Sequence, residues 1–216
     1  MQSPEIDATR SRLLEAAGPV FAEKGFAAAT VRQICQKADA NVAAVNYHFR
    51  DKMGLYVAVL QESMALAAEE DLQELDRAGK TPEAAITLLI SGMLQRLSRP
   101  DQRAAWHVRI MAHELSQPTP ALRRVATEVI GPRYALLRDV IARIIGLPAD
   151  HDTTRFCAHS VIGQVIHYAH ARPVIGCIWP DLVFTSERIA QIAAHIAAFS
   201  LAGLAAVAST QHRQET

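Results

Sequence analysis

The chain has 216 residues, of which half are hydrophobic and a fifth are charged, and its formal net charge is zero. This composition provides a sizeable core and excludes general condensation on nucleic-acid phosphate, so any DNA binding must rest on local geometry. No apolar run approaches the roughly 18 to 20 residues that span a bilayer, and the N-terminus lacks the apolar stretch of a signal peptide. We therefore expect a soluble, cytoplasmic protein without a membrane partner.

Apolar residues recur at spacings of three and four along the chain, and no alternating run is long enough to indicate a sheet. The fold class expected is therefore all-α. In the first helix one face is apolar, and Gly25 is placed to end the helix. The residues of that face are Leu13, Leu14, Ala17, Val20 and Phe21.

Two short helices are expected next. Thr30 begins the second helix with Gln33 three residues on, which is the spacing of a capping box. Residues 38–41 form a tight turn, and Asn41 caps a third helix over residues 42–49. Val45 and Phe49 lie one turn apart and should hold that helix against the core.

Asp51 can cap a fourth helix, whose charged run Glu69, Glu70 and Asp71 should face water. Helical periodicity then continues at about 82–98, 101–116, 120–145, 152–171 and 185–207. Gly131 and Pro132 should bend or divide the third of these helices, because proline lacks an N–H donor. The last helix has little polar surface, so it should be buried on more than one side, with a partner subunit as one source of cover.

Three cysteines, Cys35, Cys157 and Cys177, form an odd set without a CxxC pair. This pattern argues against a disulfide framework and against a zinc site. We expect three buried thiols.

The stretch TVRQICQKADANVAAVNYHFRDKMGLY carries the functional argument. A helix, a four-residue turn and a second helix with small outward residues fit a recognition helix to a major groove. Over about residues 8–60 the chain resembles the TetR-type regulators, in a subgroup that includes regulators of drug-efflux and membrane-transport genes. The matching elements are Thr30, Ala38, the run Asn46, Tyr47, His48 and Phe49, and Lys52.

The resemblance implies a three-helix helix-turn-helix head at residues 1–54 and a larger helical-bundle domain for ligand binding and dimerisation at 55–216. In the head, four residues would contact phosphates, namely Thr30, Tyr47, His48 and Lys52. Five would face base edges or the groove wall, namely Arg32, Val42, Ala43, Ala44 and Asn46. Each of these residues has a structural alternative to DNA contact. For Val42 the alternative, at equal weight, is a place in the core; for His48 it is a structural hydrogen bond, and for Lys52 a solvated charge.

The head departs from the family pattern at two positions. Asp39 stands where glycine is usual, and Asn46 stands where an aromatic residue is usual, which changes the operator that is read. The head also has seven basic and six acidic residues, which leaves one net positive charge. Non-specific affinity for DNA should therefore be low, although a specific complex should still weaken with salt.

In the body, residues 156, 160 and 163 repeat at helical spacing and suit a close helix contact between two subunits. The interface predicted is Phe156, Ser160, Gly163, Ile189, Ile192, Ile196 and Phe199. A ligand pocket is predicted from polar groups scattered among apolar ones, with Arg109 as the anchor for an anionic ligand. Its residues are Trp106, His107, Arg109, Ile110, His113, Phe156, His159 and His167. Ordinary packing within the chain is the alternative for both sets.

His167 and His170 form an HxxH pair, but the spacing supplies no third ligand, so no metal and no other cofactor is predicted. The function expected is that of a homodimeric regulator, a repressor of a small-molecule efflux, transport or catabolic operon. It would bind a palindromic double-stranded DNA operator and be released by a small-molecule effector. Two alternatives stay open. One is a metal-dependent helical enzyme, which lacks HExxH and a nucleophile elbow, and the other is a helical interaction module without DNA binding.

Overall fold

In the computed structural model the described residues are 4–65, 81–98 and 102–214. Within these ranges the secondary structure is α-helical, with one π-helical turn and no β-strand, which confirms the all-α prediction. The helices are α1 (Pro4–Ala28), α2 (Val31–Ala38), α3 (Val42–Phe49), α4 (Lys52–Ala65), α5 (Pro82–Ser98), α6 (Gln102–Ser116), α7 (Pro120–Val125), α8 (Gly131–Ile145), α9 (Asp152–His170), α10 (Arg172–Ile178) and α11 (Ser186–Gln214). The predicted solvent-facing run Glu69, Glu70 and Asp71 lies outside the described residues.

The helices pack into two compact units. The first unit contains α1–α4, α6 and α7, and the second contains α5 and α8–α11. Packing therefore groups α6 and α7 with the first four helices and does not divide the chain at residue 54. The functional division into a head at 1–54 and a body at 55–216 remains a prediction.

The core of the first unit is built on α1. This helix packs against α2, α4 and α6, and its predicted apolar face is buried. Gly25 interrupts the helix with φ 69° and ψ 176°, as its position predicts. A Cβ at Gly18 would overlap the Trp106 ring, so glycine permits the close approach of α6. The largest buried side chains here are Leu13, Phe21, Ile34, Leu55, Tyr56, Leu60 and Ile110.

In the second unit α5, α8, α9 and α11 pack on one another, and α10 packs on α9. Their shared core is aliphatic and includes Ile86, Ile90, Val140, Ile141, Val161, Val165 and Ile196. Helix α8 is separated from α7 by the π-helical turn Ala126–Ile130, and Pro132 lies in the first turn of α8. Because proline lacks an N–H donor, the preceding turn cannot continue as a regular α-helix, so the predicted division is confirmed.

The expectation that no apolar run is long enough to span a bilayer is wrong for one helix. The segment Ser186–Thr210 of α11 reaches a mean hydropathy of 1.8, and a third of it is buried. By length and composition alone this is weak evidence for a membrane span, since a core helix has the same properties. Alanine accounts for the oversight, because many alanines raise mean hydropathy without forming a run of large apolar side chains.

The thiols also differ from expectation. Cys35 is buried, Cys157 is half-buried and Cys177 is exposed, and all three are free. Burial raises the pKa of the Cys35 thiol, which keeps it protonated and inert at neutral pH. The prediction of three buried thiols is therefore wrong for Cys177, which lies on α10, a short helix that the periodicity did not indicate.

Candidate nucleic-acid interface

Helix α2 begins with the predicted capping box. The hydroxyl oxygen of Thr30 accepts a hydrogen bond from the Gln33 backbone N–H at 3.3 Å, and the Thr30 N–H donates to Gln33 Oε1 at 3.3 Å. The hydroxyl proton of Thr30 is not used in this pair. At the other end Asp39 adopts the left-handed region with φ 47°, which aspartate tolerates better than most residues. The turn that usually carries glycine therefore forms here with aspartate.

Helix α3 exposes one face and buries the other. Asn41 Oδ1 accepts from the Ala44 N–H at 2.8 Å and so caps the helix. Val45 and Phe49 are buried, as predicted, whereas Tyr47 is 69% exposed. The exposed side also carries Val42, Ala43 and Asn46, and Ala44 and His48 are half-buried. Val42 is 49% exposed, which excludes the alternative that places it in the core.

The junction between α3 and α4 is tightly constrained. Arg50 has φ 72° and ψ −44°, a conformation that a non-glycine residue rarely adopts, and its N–H donates to the Asn46 carbonyl at 3.1 Å. Asp51 Oδ1 accepts from the Gly54 N–H at 2.7 Å, which is the predicted cap of α4. A Cβ at Gly54 would overlap the Phe49 carbonyl oxygen, so only glycine lets α4 start this close to the end of α3.

Lys52 is half-buried beside this junction. Its Nζ donates to the Ala27 carbonyl at 3.3 Å and lies 4.5 Å from the centroid of the Phe26 ring. Partial burial lowers the pKa of Lys52. The ammonium group has three donors, so the bond to Ala27 leaves two others for a phosphate oxygen.

A buried carboxylate network in the first unit was not foreseen from the sequence. Glu114 in α6 has no exposed surface. Its carboxylate accepts from the Tyr56 hydroxyl at 2.6 Å and from the N–H and hydroxyl of Thr119 at 2.9 and 2.7 Å. Burial and the neighbouring carboxylate raise the pKa of Tyr56. The network therefore joins α4, the helix that follows α3, to the turn between α6 and α7.

The residues predicted to line a pocket fall in two groups. In the first unit Trp106 and Ile110 are buried and Arg109 is exposed, and His113 Nε2 lies 3.3 Å from the Ala22 carbonyl oxygen. His107 is half-buried in the same helix. In the second unit Phe156, His159 and His167 are exposed on α9, so these three do not line a pocket within that unit.

The residues predicted for dimerisation also divide. Ile189, Ile192 and Ile196 pack in the core of the second unit, which removes them from the predicted interface. Helix α11 packs against α5, α8 and α9. Phe156 and Phe199 are 68% and 66% exposed, and a Cβ at Gly163 would meet nothing within 4 Å. Ser160, which lies between Phe156 and Gly163 on α9, is exposed.

No group of three histidine, cysteine or acidic side chains in the described part of the chain could hold a metal ion. The ring of His167 lies beside Tyr168, with centroids 5.9 Å apart. Burial lowers the pKa of His170 and so favours its neutral form. The HxxH pair thus has local packing partners.

Two family profiles match the chain. Residues 13–59 match the profile of bacterial regulatory proteins of the tetR family, and residues 82–204 match the profile of the C-terminal domain of the HTH-type transcriptional dual regulator CecR. The dual regulator CecR of Shigella flexneri is 28% identical over 176 residues, which are 77% of this chain and 78% of that protein.

Solved structures share the fold. The transcriptional regulator FadR of Bacillus subtilis, in complex with stearoyl-CoA, superposes with a TM-score of 0.68 at 16% identity over 89% of this chain and 98% of that one. AibR in complex with isovaleryl coenzyme A and operator DNA gives 0.62 at 20% identity over 85% and 94%. CecR and FadR are both described as transcriptional regulators. The chain therefore belongs to the TetR family of transcriptional regulators, with a C-terminal domain of the CecR type.

Proposed function

We propose that this regulator binds a palindromic operator as a homodimer and that a small-molecule effector changes its affinity for that operator. The observation that carries the proposal is the two-sided character of α3: Val45 and Phe49 anchor it, while Ala43, Asn46 and Tyr47 are presented to solvent. A helix held in this way can enter a major groove without unfolding the core.

The contacts with DNA divide by chemistry. Phosphate oxygens would accept from the Thr30 hydroxyl, the Tyr47 phenol, His48 and Lys52, which together set the register of the helix on the duplex. These groups lie on α2, α3 and the start of α4, so both flanks of α3 would be tied to the backbone. The free proton of Thr30 and the two remaining donors of Lys52 support this assignment.

Base edges would be read by the exposed side of α3 and by Arg32 on α2. Asn46 can pair in a bidentate manner with adenine, whereas Ala43 and Ala44 can contact a thymine methyl. Val42 is exposed at the first turn of α3 and can also contact the groove. Asn46 thus supplies sequence discrimination where other family members carry an aromatic residue.

Dimerisation through α9 and α11 supports a palindromic site. The exposed side of these helices combines two aromatic side chains, Phe156 and Phe199, with small residues at helical spacing. Gln164 Nε2 donates to Ser200 Oγ at 3.1 Å, which holds α9 and α11 together. A second copy would cover this apolar surface, and a two-fold axis would set two recognition helices about 34 to 36 Å apart, one turn of DNA.

The effector and the regulated genes are proposed from the relatives. Two structural neighbours hold acyl-coenzyme A ligands, and one of them also holds operator DNA, so acyl-coenzyme A thioesters are the first effectors to test. We propose repression, in the cytoplasm, of an operon for efflux, transport or catabolism of a small molecule. An effector that prefers one conformation of the body would shift the population of dimers able to bind DNA.

The test is a footprint of the DNA upstream of the protein's own gene, followed by fluorescence anisotropy on the protected site. We expect a protected palindrome, an affinity that falls steeply with salt because phosphate contacts release counterions, and release by one of the acyl-coenzyme A compounds. Phe199→Glu should dissociate the dimer and weaken the complex, while Arg188→Gln, at an exposed position on the same helix, should not. A salt-insensitive complex, or full binding by a monomer, would refute the proposal.

A further inference from the structure

Two of the three guanidinium nitrogens of Arg172, a half-buried residue, are buried without a hydrogen-bond partner in the described part of the chain. Arg172 is the first residue of α10, and its Nε and Nη2 are both buried and unbonded. The guanidinium stacks on an aromatic ring, since Cζ lies 4.5 Å from the centroid of the Phe184 ring. In the described part of the chain this guanidinium has no ion pair with a carboxylate.

Burying two donors of a cation without acceptors is costly, because these nitrogens lose their hydration and gain no hydrogen bond in return. Desolvation already lowers the pKa of Arg172, but arginine remains charged in proteins. An arginine that serves only packing would be expected to keep its donors in water or bonded to carbonyls. These two nitrogens therefore call for an acceptor that the described residues do not supply.

Comparison within the same unit separates Arg172 from other arginines. Arg138 also has a buried, unbonded Nε, but its Nη1 donates to the Ala149 carbonyl at 3.3 Å, and its Cζ lies 5.0 Å from the Tyr134 ring. Arg188 is exposed on α11, where water can satisfy its donors. Arg172 alone of the three combines a stacked guanidinium with two buried nitrogens that lack acceptors.

Apolar side chains on α10 indicate which kind of molecule carries the acceptor. Val174 and Ile178 lie one turn apart on α10 and are 60% and 77% exposed. Apolar side chains on the segment that also carries the cation suit a molecule with an anionic end and an apolar body. Guanidinium matches the geometry of carboxylate and phosphate through paired hydrogen bonds.

We propose that Arg172, stacked on Phe184, is the anchor for the oxyanion of an amphiphilic small-molecule effector. The inference rests on the proposed function in that a ligand-responsive regulator needs such a site in its body. As the proposed anchor for an anionic ligand, Arg172 replaces Arg109, which is exposed and lies in the first unit. The chemistry shared by the candidate ligands is a terminal carboxylate or phosphate ester.

Three probes with the same eight-carbon chain test the proposal: octanoate, octyl phosphate and 1-octanol. Dissociation constants are measured by calorimetry on the full-length protein, for the wild type and for Arg172→Met, Arg172→Lys and the control Arg188→Gln. We expect at least one anionic probe to bind about tenfold or more tightly than 1-octanol, a difference of about 1.4 kcal/mol. The two anionic probes distinguish a carboxylate ligand from a phosphate ligand. The preference should vanish in Arg172→Met, survive in part in Arg172→Lys and be unchanged in Arg188→Gln.

Stability of the ligand-free protein gives an independent readout. Replacing this half-buried cation, with its two unbonded nitrogens, by methionine should raise Tm by about 2 to 4 °C. Arg138→Met removes a hydrogen bond and should lower Tm. A fall in Tm for Arg172→Met as large as that for Arg138→Met would show that the guanidinium has a partner, and would overturn the proposal.

Equal binding of anionic and neutral probes to the wild type would also overturn it, as would an anionic preference that survives in Arg172→Met. Loss of the dimer in Arg172→Met, measured by analytical ultracentrifugation, would assign the guanidinium to a carboxylate of the second copy and would likewise overturn the proposal. Operator binding without any probe is measured in parallel. Its absence in the wild type would count against the proposed function and leave the anion site to be judged on the binding data alone.

Discussion

Tyr56→Phe removes one of the three donors that hold the buried carboxylate of Glu114. The ring should remain in place, because its contacts with Phe21 and Phe26 at centroid distances of 4.8 and 5.1 Å do not involve the hydroxyl. The loss is therefore that of one hydrogen bond to a charged group, about 1.5 to 3 kcal/mol in the free energy of unfolding. Urea denaturation in a Trp179→Phe background measures it, because Trp106 then reports on the first unit.

The same substitution should change the dependence of stability on pH. The pKa of Tyr56 is raised in the folded protein, whereas in the unfolded chain tyrosine ionises near pH 10. The contribution of Tyr56 is therefore complete below about pH 10. Above it the unfolded chain releases a proton that the folded protein retains, so the free energy of unfolding falls by about 1.4 kcal/mol per pH unit from this group. The Tyr56→Phe variant has no hydroxyl at this position, so this contribution to the fall in the free energy of unfolding at alkaline pH should be absent.

Tyr47→Phe is the matched control, because Tyr47 is exposed in the same unit and surface substitutions of this kind change stability by about 0.5 kcal/mol or less. Two results would refute the reasoning. One is a cost for Tyr56→Phe no larger than that of the control, and the other is an alkaline decline of equal slope in the Tyr56→Phe variant and the parent protein.

Further outcomes are expected at the DNA-reading helix and the proposed dimer surface. Asn46→Ala should change the preferred base at one operator position by about 1 to 3 kcal/mol and leave the others, as binding to a set of single-base operator variants would show. Lys52→Ala should weaken all these sites equally and reduce the salt slope by about 1, so loss at one site alone would contradict its phosphate role. Gly54→Ala should abolish operator binding and lower Tm, because its Cβ would overlap a backbone oxygen; normal binding would show that the α3–α4 junction is not rigid. Phe199→Glu should yield monomers in analytical ultracentrifugation, and an unchanged dimer would place the interface elsewhere.

The first four helices could be predicted because their ends are determined by neighbours in sequence. Thr30 pairs with Gln33, Asn41 with Ala44 and Asp51 with Gly54, each three residues apart. Such contacts depend on local geometry alone, so spacing in the sequence indicates them. The exposed side of α3 followed from the same periodicity once Val45 and Phe49 were placed inward.

The body could not be resolved in this way. Tyr56 and Glu114 are 58 positions apart, and no local pattern indicates that a tyrosine will meet a carboxylate so distant in the chain. Helix α11 is apolar on both sides, so periodicity did not distinguish Ile196, which packs inside, from Phe199, which is exposed. The unpartnered state of Arg172 likewise depends on which side chains surround it after folding.

Helix α3 is flanked by two residues with positive φ, Asp39 two residues before its cap and Arg50 directly after its last residue. Neither boundary depends on the outward side chains between them, because the Asn41 side chain caps the start of the helix and the backbone carbonyl of Asn46 accepts the hydrogen bond at its end. The side chains at the outward positions 42, 43, 44, 46 and 47 can consequently be substituted together. Libraries varied at these positions should keep the parental fold while sampling new operator sequences, which makes this helix a practical starting point for reprogrammed promoters.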